Sequence, residues 1–344
     1  MKKKIVVQAV AVLLLIITCV GIWVQKKKLY DQQANVRWSE EGMAQISVFY
    51  PVTQQADELF AKDLSHRIEN ALEKSAVADS LNPDKKTGLS FPYAFSNTGT
   101  LELVNSSNKL EVDVIGVEGD FFLFHPIALI GGSYISDDDI MDDGIIIDED
   151  TAWKLFGSCD VVGMNVNIRG IPFYVKGVYA KADDRFSLEA GLDKCTCYVN
   201  LERLKTYGTV TGSYSYETIL PNPVDNFAFM IISEIMGDGP NSPKVIENSS
   251  RYSMSKLREV IRQIGIRSMS TDNIAYPYYE NIARAWEDIF ALLLIWQVLL
   301  VLIAAVILFF EIRCLQIGSK IKNIKKRGKI LWENIREHLA SHLP

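Results

Sequence analysis

The residues with chemistry to offer are scattered along the chain. Asp137, Asp138, Asp139, Asp142 and Asp143 crowd five carboxylates into one short run, a density that could hold Ca²⁺. They lack the alternating D-x-D-x-D-G order and the closing Glu of a calcium loop, so the run reads as a solvated turn between strands. Cys195-Thr196-Cys197 offers paired thiols, but tetrahedral zinc takes about four ligands. The only imidazoles near enough in sequence to help are His66 and His125. His66 falls on the polar face of an expected helix, and His125 precedes Pro126 in an apolar run, so both read as structural. With Cys159, three cysteines stand in the central part of the chain, an odd number that does not suggest a disulfide framework; a link from Cys159 to Cys195 or Cys197 stays open. There is no G-x-S-x-G elbow and no G-x-x-x-x-G-K-[ST] phosphate loop. The sequence therefore assigns no catalytic, cofactor-binding or metal residue, and the chain is not expected to be an enzyme.

What positions these residues is a membrane layout. Ile5 to Gln25 and Ile289 to Phe310 are uncharged and apolar, each long enough for the roughly 20 residues that cross a bilayer. The first exceeds the roughly 7–15 apolar residues of a signal peptide and no A-x-A-like site follows, so it is expected to be a retained anchor. Lys and Arg near membrane ends favour the cytoplasm. Lys2, Lys3 and Lys4 precede the first span and Lys26, Lys27 and Lys28 follow it, so that span alone is ambiguous. From Ile312 onward come Arg313, Lys320, Lys322, Lys325, Lys326, Arg327, Lys329 and Arg336, against Glu333 and Glu337. The tail places both termini in the cytoplasm and the large middle segment outside the cell or inner membrane. The whole chain nets −6. The first 28 residues carry +6 and the tail from Ile312 carries another +6, which leaves −18 to the middle. So acidic a segment is a poor partner for nucleic acid.

The middle segment reads as mixed α and β. Ala44 to Tyr50 alternates like a strand, and a helix is expected from about Gln54 to Ser75, where Leu59, Leu64, Ile68 and Leu72 recur at helical spacing. Leu101 to Val104 and Leu110 to Val117 read as strands. Asp150 to Phe156 reads as a short helix capped by Asp148 or Asp150 and stopped by Gly157. Val166 to Ile168 and Phe173 to Val178 read as a hairpin with Arg169-Gly170 at its turn. Tyr198-Val199 and Leu201 to Tyr207 suggest a strand and a short helix. Phe227 to Ile235 is expected to be a buried strand, and Ser253 to Ile264 an amphipathic helix ended by Gly265. Gln297, polar within the second span, points to a bond with another membrane helix.

A longer pattern carries a resemblance. Gly116-Val117-Glu118-Gly119-Asp120-Phe121-Phe122 leads to Gly131-Gly132-Ser133-Tyr134-Ile135. Then follow Ile145-Ile146-Ile147-Asp148-Glu149, Ala152-Trp153-Lys154-Leu155-Phe156-Gly157, Val162-Gly163, Val166-Asn167-Ile168 and Phe173-Tyr174-Val175-Lys176-Gly177-Val178. This order resembles the extracytoplasmic core domain of MacB-type ABC-transporter permeases, within the FtsX-like superfamily. Gly131 and Gly132 suit a tight strand bend, and Gly163 and Gly177 suit close backbone approach.

The resemblance implies an α+β ectodomain of mixed sheets and helices between two transmembrane helices. The expected divisions are a cytoplasmic N-terminus at 1–4, a first membrane helix at 5–25, the core domain at 26–285, a second membrane helix at 286–311 and a cytoplasmic coupling helix at 312–344. In such permeases the segment after the second helix meets the ATPase subunit. Here that assigns partner coupling to Gly318, Ile321, Ile324, Lys325, Lys326, Arg327 and Leu331, a basic amphipathic stretch that also suits the inner leaflet. Family permeases carry four membrane helices, whereas this chain is expected to be a two-helix short form. The implied function is a non-catalytic membrane subunit that couples a cytoplasmic ABC ATPase, which would bind the ATP, to movement of the extracytoplasmic domain. A further permease subunit or a second copy are expected as additional partners. The alternative is an anchored sensor or interaction module without an ATPase.

Overall fold

The computed structural model describes residues 2–39, 42–56, 59–75, 91–106, 108–137, 139, 141–239, 241–267, 269 and 273–340. They fall into two units, Lys27–Ala291 and a helical unit formed by Met1–Lys26 with Leu292–Pro344. The helical unit holds most of helix α1 (Lys2–Lys28) and the larger part of the last helix, Tyr278–Ala340. Both contain stretches apolar and long enough to cross a membrane, Val6–Lys28 and Tyr278–Arg313. Their large side chains, such as Leu13, Ile17, Leu302 and Phe309, are exposed. In water that surface would be unfavourable; in lipid it is the normal condition of a spanning helix.

Among the described residues, the Lys27–Ala291 unit is built on one mixed sheet of eleven strands. Its main path runs β11 (Lys244–Glu247), β1 (Met43–Phe49), β10 (Ser215–Pro221), β2 (Tyr93–Asn105), β3 (Asn108–Gly119), β8 (Thr196–Asn200), β5 (Gly144–Asp148), β7 (Ile171–Tyr179) and β4 (Leu129–Gly132). The short strands β6 (Asn165–Ile168) and β9 (Thr209–Val210) pair off that path. β3 with β8 and β5 with β7 are parallel, and the other pairs are antiparallel. The long hairpin β2–β3, in register from Ala94↔Gly119 to Asn105↔Asn108, joins two cores. One end contributes Leu101, Leu103, Val112 and Val114 to a core with β5 to β8. The other contributes Phe95, Ile115 and Val117 to the layers around β1.

β1 is buried on both faces and treats them differently. Ala44, Ile46 and Val48 meet Leu64, Ile68 and Leu72 of helix α2 (Phe60–Glu73) and Ala228 and Ile232 of a second helix. Gln45 and Ser47 face the other side, and both are buried. A strand alternates its side chains between faces, so one strand here supplies an apolar face and a polar one.

Four sequence expectations change. The run Phe227–Met236 is a helix, not a strand. An apolar run of this length carries no period that separates the two states, and here the apolar helix packs on the sheet through Ala228 and Ile232, one turn apart. The expected helix from Ser253 to Ile264 is α-helical only over Met254–Val260 and tightens to a 3₁₀ turn at Ile261–Gln263. Leu59, expected on the buried stripe of α2, lies before the helix and is exposed. Two glycines show different needs. A Cβ on Gly132 would stand 2.1 Å from the Lys176 carbonyl oxygen, as a tight strand bend requires. Gly163 has open space around it, so close approach is not its role; its φ of +84° is.

Candidate functional site

The polar face of β1 continues across the sheet. Ser47 stands opposite Glu217 of β10, and Ser215 of β10 stands opposite Ser96 of β2. The Ser47 hydroxyl donates 2.5 Å to Glu217 and accepts from the Asn248 amide at 2.6 Å. Ser96 and Ser215 are 2.8 Å apart, and Ser215 is 2.7 Å from the Tyr279 hydroxyl. A buried row of this kind is costly unless every group finds a partner.

His125 is the partner at its centre. The helical turn Phe121–Phe124 carries it in, and its ring is 1 % exposed. Nε2 meets the Glu217 carboxylate and Nδ1 lies 3.1 Å from Asp31. The ring stacks on Tyr279 at 3.7 Å between centroids. Burial alone would lower its affinity for a proton; the carboxylates of Glu217 and Asp31 outweigh that and push its pKa up to about 9. His125 is therefore an imidazolium at neutral pH, bonded to two carboxylates.

Asp31 belongs to the segment that leaves the first apolar helix. That segment is fastened at several points: Gln45 accepts from the Ala34 N–H at 2.9 Å and donates to the Asp31 carbonyl at 2.7 Å. Arg37 donates to the Leu123 carbonyl at 2.5 Å and the Phe124 carbonyl at 3.1 Å. Tyr279 belongs to the other end, where the chain enters its last helix. There Arg251 is 3 % exposed and donates to both oxygens of Glu280 at 2.7 Å, to Glu287 at 2.7 Å and to Asn248 at 3.0 Å. Arg284 adds a 2.6 Å bond to Glu280 and lies 3.4 Å over the Tyr276 ring. Arg267 closes the group on Glu287 and Asp288. Burial would raise the Glu280 pKa, but Arg251 and Arg284 hold it below the ordinary carboxylate value. Asn248, bonded to both Ser47 and Arg251, joins the two groups. The two segments at which the chain enters and leaves this unit are thus held in one buried network of charge-assisted bonds.

Sequence reasoning missed this site because its members are far apart: Asp31 and His125 are separated by 94 positions, His125 and Glu217 by 92. One signal was readable. Glu280, Arg284 and Glu287 recur along one face of a helix start, where a row of mixed charge just before an apolar span marks a set of partners.

The residues singled out from sequence fall elsewhere. Gln297 donates to Thr18 Oγ1 at 3.3 Å and lies 3.5 Å from Cys19 Sγ, both on α1. Ile324, Lys325 and Arg327 are exposed on the last helix. Gly318, Ile321, Lys326 and Leu331 lie on the same helix, and the side chains of the last three are outside the described residues. His66 is an exposed partner of Glu69. Cys159, Cys195 and Cys197 are free thiols, so the Cys159 link left open by the sequence is not formed. In the acidic run, Asp137 accepts from the Gly119 N–H at 3.0 Å, Asp139 pairs with Lys176, and Asp138 lies outside the described residues. Among the described residues no group of three or more His, Cys, Asp or Glu could hold a metal ion.

A mixed-sheet domain whose two chain ends lead to helices apolar and long enough to cross a membrane has the architecture expected of a membrane-anchored core domain. The MacB-like periplasmic core domain family matches residues 30–229, more than half of the chain, and the chain belongs to that family. This places it with the membrane subunits of ABC-type transporter systems. Among solved structures, it is similar to the extracellular domain of the noncanonic ABC-type transporter YknZ from Gram-positive bacteria, at 18 % identity over 59 % of this chain and 99 % of that one, with a TM-score of 0.36. It is also similar to the periplasmic region of MacB from Actinobacillus actinomycetemcomitans, at 14 % identity over 66 % of this chain and 96 % of that one, with a TM-score of 0.39. No curated protein matches the chain.

Proposed function

We propose that the chain is a non-catalytic coupling subunit. A cytoplasmic ABC ATPase binds and hydrolyses ATP, the basic helix after the second span docks on it, and the motion reaches the extracytoplasmic domain through the membrane helices. The observation that supports this reading is the buried network at the two chain ends. A loose tether would need no such network; a part that is pushed and pulled by its membrane helices needs both of its roots fixed in the core. Breaking one buried ion pair costs about 3–5 kcal/mol, so the roots resist being drawn out singly. The absence of a phosphate loop in the sequence leaves nucleotide binding to the partner.

Purification of the tagged full-length chain in mild detergent is expected to bring an ABC ATPase subunit with it. Ile324→Asp with Leu331→Asp places two charges on the apolar stripe. Each costs several kcal/mol if buried unpaired, so the double variant is expected to lose the ATPase. Reversal of Lys325, Lys326 and Arg327 to Glu is expected to weaken association in a salt-dependent way. A chain that purifies without any nucleotide-binding subunit, with its tail binding anionic vesicles instead, would replace this reading with that of an anchored interaction module.

A further inference from the structure

The sheet ends at β11, and that end is open. The Asn248 N–H donates to the Gln45 carbonyl, directly opposite it. Antiparallel partners alternate between pairs that exchange backbone bonds and pairs that do not. Ile246 with Ser47 and Lys244 with Phe49 are therefore the bonded pairs. The N–H and C=O groups of Val245 and Glu247 point away from β1, where no strand neighbours β11 among the described residues. Along this edge lies a cleft of about 520 Å³ lined by Lys244, Val245, Ile246 and Glu247, the whole of β11. Phe229 and Lys256 line it too, the ammonium 5.7 Å over the ring.

The charges in the cleft are not all committed. Arg251, Arg267 and Arg284 also line it, but Glu280, Glu287 and Asp288 answer them. Glu247 is different. It is 7 % exposed, its Oε1 has only a 3.5 Å contact with Asn222, and its Oε2 has no partner among the described residues. A buried carboxylate oxygen without a donor is costly.

We propose that this edge is a docking site for an extended segment of a partner polypeptide, added to the sheet as a twelfth strand beside β11 and presenting a Lys or Arg side chain to Glu247. Backbone bonds to Val245 and Glu247 supply the register-independent affinity of strand addition. The residue opposite Glu247 would stand about 5 Å away, on the same face, within reach for a basic head group. The site does not depend on ATP coupling.

The test uses the full-length chain in lipid nanodiscs and a fluorescent nine-residue peptide of alternating Thr and Val with a central Arg. Saturable binding is expected, with slowed amide exchange at Val245 and Glu247. A central Glu in the peptide, or Glu247→Gln in the protein, is expected to weaken binding about tenfold or more, as loss of a charge-assisted bond gives. Val245→Pro removes one outward N–H without touching the ladder to β1, a place where an edge strand accepts proline, and is expected to abolish binding. A peptide N-methylated on its strand-pairing amides makes the same cut from the other side, so the test stands if the proline variant does not fold. No binding of the Arg peptide at millimolar concentration would overturn the proposal. So would binding indifferent to the central charge, or binding unaffected by both the proline and the N-methyl changes.

Discussion

His125 shows how far one side chain can be recruited. Its ring faces Asp31 and Glu217 through its nitrogens and Tyr279 and Tyr278 through its faces and edge. Its folded pKa of about 9 lies above the ordinary value of 6.5. A raised pKa means that the folded state binds the proton more tightly. The stabilisation is therefore complete below about pH 6.5 and is lost as pH rises through about 9, with a size on the order of 3 kcal/mol. Urea unfolding of the parent and of His125→Gln, followed from pH 6.5 to 9.5, is expected to show a difference that shrinks steadily with pH. A difference that stays constant over that range would mean that the imidazolium contributes nothing. The same reasoning explains why the buried Glu217 and the half-buried Asp31 can converge on one ring: a cation stands between them.

At the scale of elements, what the sequence made legible is local and what it hid is long-range. The turn Arg169-Gly170 was readable because two left-handed residues in a row, φ 47° and 89°, suit a tight hairpin. The helix over Glu149–Phe156 was readable from its cap and its stop: Asp148 accepts from the Thr151 N–H at 2.6 Å, and Gly157 takes φ 74°. Asp148 also accepts from the Thr196 N–H, which ties the end of β5 to β8, and nothing in the spacing announced that second bond. The Phe227–Met236 helix was misread because its apolar content hid its period, and the anchoring network was unseen because its charges meet only in the folded chain. Asp148 offers a test of this double duty. Asp148→Ala removes a cap and leaves a second buried N–H without an acceptor, which is expected to cost about 2–4 kcal/mol. Asp148→Asn keeps one acceptor oxygen and is expected to cost clearly less. Equal losses in thermal unfolding would show that Asp148 acts through its charge alone.

For the whole molecule, the distribution of charge argues for one orientation. Six lysines flank the first span evenly, three on each side, so that span expresses no preference. The region after the second span holds eight Lys and Arg against three Glu, while the segment between the spans nets −14. Basic residues close to a membrane helix are retained in the cytoplasm, whereas large domains are translocated largely regardless of their charge, so the basic tail carries the argument. In a background with the native cysteines replaced, Glu111→Cys is expected to react with a membrane-impermeant maleimide in intact cells, because Glu111 is exposed on the sheet domain that this orientation puts outside. Arg327→Cys, exposed on the last helix, is expected to react only after permeabilisation. The reverse pattern would put the basic tail outside the membrane, beyond the reach of any cytoplasmic ATPase. It would remove the coupling proposal while leaving the family, the fold and the open edge of β11 as they are.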